Sequence, residues 1–271
     1  MFLSFSFTPF YSVLKEVFAM AHRRRLTFLL TTIVVLLGLC TWWNHRWSVL
    51  THVRVPQTTT ATIFLPGSSG GWLSLRSMVT SLNRPHLATF ALTAHVSFAG
   101  RVSWQQRHAI RANNPLVPII FKDNTHPQRQ ARQLLVVLNQ LHRRYGINHI
   151  NVVGHSSGGT IIYDYLNNRS QAPVTVRRIV TIGADFPERT PLRRVTPSCD
   201  WLNLAGTIGA LDNDSEVPAA TVTPLAHLVA QRGVHYHFRR YSGPVWNTQH
   251  SLLHENPALD ALIIRALYPP N

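Results

Sequence analysis

The chain has 271 residues, 45% of them hydrophobic, which is enough for one sizeable folded domain and argues against a chain that is disordered throughout. It has 26 Lys and Arg residues but only 11 Asp and Glu, so the formal net charge is +15. This charge favours anionic lipid headgroups or acidic envelope polymers as neighbours. The alternative is that the high Arg content only reflects an Arg-rich proteome. Nucleic acid is not expected as a partner, because the Arg residues are mostly dispersed and no zinc-finger, RNA-binding or helix-turn-helix signature occurs.

The first predicted element is a membrane helix near the N-terminus. Residues 26–43 form an uncharged run rich in Leu, Val, Ile and Phe, and residues 22–25 before it are basic. The 18 residues of the run, at about 1.5 Å rise each, are just long enough to cross a hydrocarbon core of roughly 30 Å. The basic flank predicts that residues 1–25 stay in the cytoplasm. The run therefore predicts a single-pass signal anchor in the cell membrane, with the rest of the chain at the cell surface.

Two alternatives concern this N-terminal segment. A cleaved signal peptide has a similar pattern, but no A-x-A-like cleavage site follows the apolar run, so we favour an uncleaved anchor. Met20 directly precedes the basic residues and is an alternative start of translation. Residues 44–60, which include a polar Gln-Thr-Thr-Thr stretch, are predicted to be a linker.

Residues 61–271 are predicted to form one α/β domain. Short apolar runs alternate with helix-like stretches, which is typical of βα units and a mostly parallel central sheet flanked by helices. The predicted strands are 61–65, 89–97, 101–105, 117–121, 149–153, 177–182, 201–205 and 234–241, and the predicted helices are 126–145, 160–167 and 257–267. The stretches 67–85 and 186–200 are expected to be loops that form a lid or pocket walls.

The clearest chemical signal joins the strand at 149–153 to the helix at 160–167. Gly154-His155-Ser156-Ser157-Gly158 matches G-x-S-x-G, the nucleophile elbow, in which glycines make room for a serine on a sharp turn between strand and helix. The strand before it and the helix after it are the required context. Ser156 is therefore the predicted nucleophile. A Gly/Ser-rich turn that binds phosphate is the alternative.

A serine nucleophile needs a histidine base and an acid that orients the histidine. In this fold class the acid and then the histidine follow the serine along the chain. Asp214 follows a predicted strand and lies in a loop, as the acid should, but Asp212 is a close rival that sequence alone does not separate from it. Further acids after the serine are Asp185, Glu188, Asp200 and Glu216.

The predicted base lies between the last strand and the last helix. His250 is preferred there over His254, and His155 inside the elbow is interpreted as a packing residue. An oxyanion hole is also needed, because negative charge develops on the carbonyl oxygen of the substrate. The Ser157 N–H is one donor by its position after the nucleophile, and the Ser68 N–H, after the first strand of the domain, is the predicted second donor; an ordinary flexible Gly/Ser loop is the alternative.

These residues resemble the lipase-like α/β-hydrolases known as bacterial cell-surface hydrolases of otherwise unknown function, over about residues 60–269. The similar features are the Pro66-Gly67 loop, Asn114 to Asn124, the elbow at Ser156, Asp214 before Val217-Pro218, and the run from His250 to Pro257. The resemblance implies an α/β-hydrolase fold, His250 as the catalytic histidine and Asp214 as the acid. Family members commonly carry His-Gly where this chain has Pro66-Gly67, and often methionine where it has Ser157.

Together these patterns predict a membrane-anchored, extracytoplasmic serine hydrolase of the carboxylesterase or lipase type. Its substrate would be a small or lipid-like carboxylic ester, and its mechanism requires no metal or organic cofactor. The alternatives are a catalytically inactive hydrolase-fold protein that binds a component of the cell envelope, and an acyltransferase that uses an acceptor other than water.

Overall fold

The structure is a computed structural model that describes residues 8–168, 170–187 and 189–270. It divides into two units, Met1–Ser48 and Val49–Asn271. Residues 1–7 of the predicted cytoplasmic segment lie outside the described residues.

The described residues of the first unit, from residue 8 onward, form one helix, α1 (Thr8–Ser48). It contains the predicted apolar run and continues through the basic residues before it. His22–His52 is long and apolar enough to be a candidate membrane span, and Phe28 and Leu37 are among its exposed apolar side chains. The hydroxyl of Thr31 donates to the carbonyl of Thr27, one turn earlier, at 2.9 Å. Such bonds satisfy hydroxyl groups without water, as a hydrocarbon environment requires.

The second unit begins earlier than the predicted domain. A 3₁₀ turn, Val49–His52, follows α1, and Leu50 and Val53 are buried within the second unit. The side chain of buried Asn114 accepts from the Thr58 N–H and donates to the Pro56 carbonyl, both at 2.8 Å. Within the predicted linker at 44–60, the first residues belong to α1, Leu50 and Val53 are buried in the second unit, and residues 56–58 are bound to Asn114.

A nine-stranded sheet forms the centre of this unit. Its strands are β1 (Ala61–Leu65), β2 (Thr89–Phe90), β3 (Leu92–Val96), β4 (Val102–Gln106), β5 (Pro115–Phe121), β6 (His149–His155), β7 (Thr175–Ile182), β8 (Cys199–Ile208) and β9 (Val234–Gly243). The order is β4-β3-β5-β1-β6-β7-β8-β9, with β2 also beside β5. Among the strands of the described residues, only β3 and β4 pair antiparallel, as a hairpin. The predicted α/β-hydrolase architecture, with a mostly parallel sheet, is confirmed.

Helices cover the sheet, which explains why central strands such as β1 are buried along their whole length. They are α2 (Trp72–Leu82), α3 (Pro127–Tyr145), α4 (Ser157–Asn167), α5 (Ala219–Val222), α6 (Leu225–Val229), α7 (Val245–Thr248), α8 (His250–Leu253) and α9 (Pro257–Leu267). Helix α3 packs on α4, and α2 packs on α9.

Helix α2 lies in a stretch that was predicted to be a loop. Its N-cap is Gly71, which has no side chain to cap the helix, and a Gly/Ser run precedes it. Four of its buried apolar residues are spaced as on one helix face: Leu75, Met78, Val79 and Leu82. Residues 67–85 therefore contain a short loop followed by a helix, not one continuous loop.

Parallel pairing brings the carboxyl ends of β1, β5, β6, β7 and β8 to one edge of the sheet. The loops that leave these strands carry the candidate nucleophile, acid and oxyanion donors. Ligands of open α/β sheets bind outside this edge.

Candidate active site

Ser156 occupies the sharp turn between β6 and α4. Its φ of 51° and ψ of −125° are a conformation that residues other than glycine rarely adopt. The Ser156 N–H donates to the Ile182 carbonyl at 2.8 Å, so the end of β7 holds the turn. The structure thus gives the motif the backbone geometry of a nucleophile elbow.

The glycines of the motif allow backbones to approach each other closely. A Cβ atom on Gly154 would lie 2.6 Å from the backbone of Gly158, and one on Gly158 would lie 2.3 Å from the Leu65 carbonyl oxygen. Real Cβ atoms do not approach backbone atoms this closely. Both positions therefore require glycine for β6, α4 and the end of β1 to meet around Ser156.

His250 and Asp214 form a buried hydrogen-bonded pair. The Nδ1 of His250 lies 2.8 Å from the Asp214 Oδ2, and the two side chains are only 4% and 0% exposed. Because a carboxylate can only accept, Nδ1 carries the proton, which leaves Nε2 able to accept one. The other carboxylate oxygen accepts from the N–H groups of Glu216 and Val217, at 3.1 and 2.7 Å. The carboxylate is thus fixed by its own turn.

Of the two rival acids, Asp214 is the one that contacts His250. Asp212 faces the surface, where it pairs with Arg240, and its side chain is more than half exposed. Asp200 pairs with Arg178 and His235 on the exposed side of the sheet. Glu188 lies outside the described residues, and the exposed Glu216 carboxylate lies 3.7 Å from the His250 Nε2.

Three histidine rings meet beside the elbow. The ring of His155 lies 4.6 Å from the ring of His250 and 4.8 Å from that of His254, measured between centroids. Burial, together with the neighbouring His254 and His250, lowers the pKa of His155 well below its usual range. Burial and the nearby His250 lower the pKa of His254 to about 4. His155 and His254 are therefore neutral near pH 7. Among the described residues, the Ser156 hydroxyl makes no hydrogen bond to His250.

The loop after β1 lies against the elbow. A Cβ atom on Gly67 would lie 3.1 Å from the Ser156 Cβ, which places this loop beside the candidate nucleophile. The Ser69 N–H donates to the Asn124 carbonyl at 2.7 Å and fixes the loop to the end of β5. In the described part of the chain, the N–H groups of Ser68 and Ser157 donate to no protein acceptor. Both donors therefore remain available for a ligand.

Gly183, which the sequence analysis did not single out, lies under the acid and the histidine. It directly follows β7 with a φ of 54°, and a Cβ atom on it would lie 2.8 Å from the Asp214 Oδ2 and 3.2 Å from the His250 ring. A glycine directly after a central strand was the available signal, although nothing in the local pattern tells which side chains approach it.

The run from His250 to Pro257 is held at its C-terminal end by Asn256. Its Oδ1 accepts from the Ala258 N–H at 3.0 Å and caps α9, which has Pro257 at its first position. Its Nδ2 donates to the Tyr241 hydroxyl and the Asn247 carbonyl. These bonds tie the segment that carries His250 to β9 and α9. Within the described ranges, no group of three or more His, Cys, Asp or Glu side chains is arranged to hold a metal ion.

Residues 52–196 and 191–269 match the family DUF915, described as alpha/beta hydrolases of unknown function. The chain belongs to this family. The expected resemblance is confirmed for the family, and the DUF915 match spans nearly the whole second unit. No protein with a curated description matches the chain.

Solved structures have a fold similar to that of this chain. A gene product from Listeria innocua is 22% identical, with a TM-score of 0.66, over 81% of this chain and 96% of that one. A protein from Lactobacillus plantarum, provisionally described as a cell surface hydrolase, is 24% identical, with a TM-score of 0.62, over 77% of this chain and 91% of that one. At these identities the likeness shows the fold alone.

Proposed function

We propose that the chain is a serine hydrolase that cleaves carboxylic ester or lipid-like substrates. In this proposal Ser156 is the nucleophile, His250 the general base and Asp214 the residue that orients the base. The observation that carries the proposal is the buried hydrogen bond between His250 and Asp214, at the same sheet edge as the strained turn of Ser156. Membership in a family of α/β hydrolases supports it.

The mechanism follows from which atoms are free. The unprotonated His250 Nε2 takes the hydroxyl proton of Ser156 as the serine oxygen attacks the ester carbonyl. The negative charge that develops on the carbonyl oxygen is held by the N–H groups of Ser68 and Ser157, each worth about 2.7 to 4 kcal/mol in such a site. His250 then gives the proton to the departing alkoxide, which leaves as the alcohol. A water molecule repeats the sequence on the acyl-enzyme and releases the acid.

A fluorophosphonate probe tests this proposal on the full chain in mild detergent. The wild type should be labelled, and Ser156→Ala should not be labelled. Ser251→Ala serves as a matched control, because Ser251 is an exposed serine next to His250 whose side chain the mechanism does not use. An unlabelled but folded wild type would favour the inactive binding protein. Label retained in Ser156→Ala would show that another residue is the nucleophile.

We also propose that α1 anchors the hydrolase unit outside the cytoplasmic membrane. The candidate span at His22–His52 and the basic residues at its N-terminal end support this orientation. In a bacterial host, the protein should stay in carbonate-washed membranes, and the second unit should be cleaved by protease added to spheroplasts. The mass of the membrane-bound chain separates an uncleaved anchor from a processed signal peptide. Protection of the second unit in intact spheroplasts would contradict the orientation.

A further inference from the structure

A second feature of the catalytic edge is a cavity of about 600 Å³ next to the loop after β1. Gly70 and Gly71 form one wall, and the ends of β3 and β5 form the others, with Asn124 between them. Two hydrogen bonds fix this wall. The Asn124 side-chain amide donates to the Gly70 carbonyl at 3.2 Å, and the Asn124 backbone carbonyl accepts from the Ser69 N–H. The cavity thus shares a wall with the loop that carries the proposed oxyanion donor Ser68.

Positive charge dominates the rim of this cavity. Arg101 and Lys122 line it, together with His95, and no Asp or Glu is among its lining residues in the described part of the chain. The side chains of Arg101 and Lys122 make no ion pair or hydrogen bond with any described residue. Elsewhere, several arginines are paired with aspartates: Arg129, Arg178, Arg189 and Arg240.

Asp123, the neighbour of Lys122 in the chain, does not neutralise the rim through direct contact. Its two carboxylate oxygens are occupied by His126 and Arg129, each at 2.7 Å. The hydrogen bond from His126, helped by Arg129, lowers the pKa of this buried carboxyl. Arg101 and Lys122 therefore keep their charge available to a ligand.

The floor of the cavity is apolar. Val96 and Phe121 are buried there, and Val102 and Ile120 are further apolar lining residues, while Ser97 and Ser103 add hydroxyl groups to the lining. A ligand that fits both parts has an apolar stem and an anionic end. The cavity volume is within the range of roughly 300 to 1,000 Å³ that is usual for small-molecule sites.

We propose that this cavity is the subsite for an anionic group, a carboxylate or a phosphate, on the ester substrate. The proposal rests on the proposed function and specifies its substrate class as esters that also carry a negative charge. Arg101 and Lys122 bind the anion at the rim, the apolar floor receives the stem, and the ester carbonyl reaches Ser156 across the shared Gly70 wall.

Calorimetry on the full-length Ser156→Ala protein in non-ionic detergent tests binding without turnover. Butyl phosphate and butyrate are titrated, with butanol as the neutral ligand of the same stem length. At least one anion should bind more tightly than butanol, and the tighter anion identifies the group. Adding Arg101→Gln and Lys122→Gln should weaken that binding by about fivefold or more, as expected for two exposed charge contacts.

Arg143→Gln is the matched control, because it removes one exposed positive charge near the C-terminal end of α3, outside the cavity lining. It should leave anion binding unchanged. Equal binding of the anions and butanol, or equal weakening by Arg143→Gln, would overturn the proposal.

A kinetic experiment links the cavity to the proposed reaction. In the wild type, the tighter anion should inhibit hydrolysis of neutral p-nitrophenyl butyrate competitively, and this inhibition should be lost in the Arg101→Gln/Lys122→Gln variant. Hydrolysis without competitive inhibition would separate the cavity from the substrate path and overturn this proposal alone. Absence of both hydrolysis and fluorophosphonate labelling would instead overturn the proposed function, and the calorimetry would still report on the anion site.

Discussion

The His155 ring donates a hydrogen bond from Nε2 to the backbone carbonyl of His250, at 3.0 Å. The carbonyl can only accept, so the proton of this neutral imidazole lies on Nε2. On its other side, the His250 N–H donates to the Asp214 carbonyl at 2.7 Å. The backbone of the proposed base is thus held between the elbow and the acid loop, and we expect His155, interpreted from the sequence as a packing residue, also to position His250.

Replacing His155 should misplace the base without removing it. His155→Phe keeps a ring but loses the donor, and we expect kcat/KM for p-nitrophenyl esters to fall about fivefold, since one such hydrogen bond contributes about 1 kcal/mol. His155→Gln keeps an N–H that can reach the carbonyl and should recover part of the loss. A role in packing alone would instead make His155→Phe the milder change.

Mutation should distinguish the catalytic roles of the two rival acids, Asp214 and Asp212. Asp214→Asn removes the acceptor that holds the His250 Nδ1–H, so kcat should fall on the order of 10³- to 10⁴-fold, as for an equivalent change in other Ser-His-Asp hydrolases. Asp212→Asn removes only a surface pair with Arg240 and should keep activity within about twofold. Steady-state kinetics on folded variants measures both effects. A comparable loss in the two variants would contradict the proposed division of roles.

Local patterns were sufficient for the elbow and for most elements. The elbow residues, the strand before them and the helix after them are contiguous in the chain, so spacing alone predicts them, and the observed β6 and α4 extend the predicted strand and helix by only a few residues. The last helix, Pro257–Leu267, has the predicted bounds, and its start is local in the chain, since Asn256 caps it and Pro257 is its first residue.

What sequence could not decide depends on contacts between distant residues. Asp212 and Asp214 differ locally only by one position, but the turn at 213–218 directs the Asp214 carboxylate toward the N–H groups of Glu216 and Val217 and toward His250. The position of residues 56–58 depends on the side chain of Asn114, which is more than fifty positions away from Thr58 in the chain. The basic cavity combines residues of β3, β4 and β5 with the loop at Gly70 and Gly71, so no spacing in the chain reveals it.

Gly183 should be intolerant of a side chain for a reason specific to the site. Gly183→Ala places a Cβ atom against the Asp214 carboxylate and the His250 ring, and we expect kcat/KM to fall more than about tenfold. Gly146→Ala is the matched control, because Gly146 has a similar φ of 67° and no atoms within 4 Å of the added Cβ. Both variants should lose about 1 kcal/mol of stability from backbone strain, but only the first should lose activity. Equal activity in the two variants would argue against the close approach.

His254 should make the folded state sensitive to acid. Burial first, and then the nearby His250, lower its pKa from 6.5 to about 4. Between these two pH values His254 is therefore protonated in the unfolded chain but neutral in the folded chain. The free energy of unfolding should therefore fall as the pH drops from 6.5 toward 4, and this residue should account for about 2 kcal/mol between pH 7 and pH 5. Denaturant unfolding of the full chain in detergent at the two pH values measures the loss.

His254→Gln cannot titrate and should lose less stability over this interval, whereas His237→Gln, which removes an exposed histidine, should behave as the wild type. An unchanged pH dependence in His254→Gln would mean that His254 does not remain neutral in the fold, and the acid sensitivity would then have to come from another buried group such as His155.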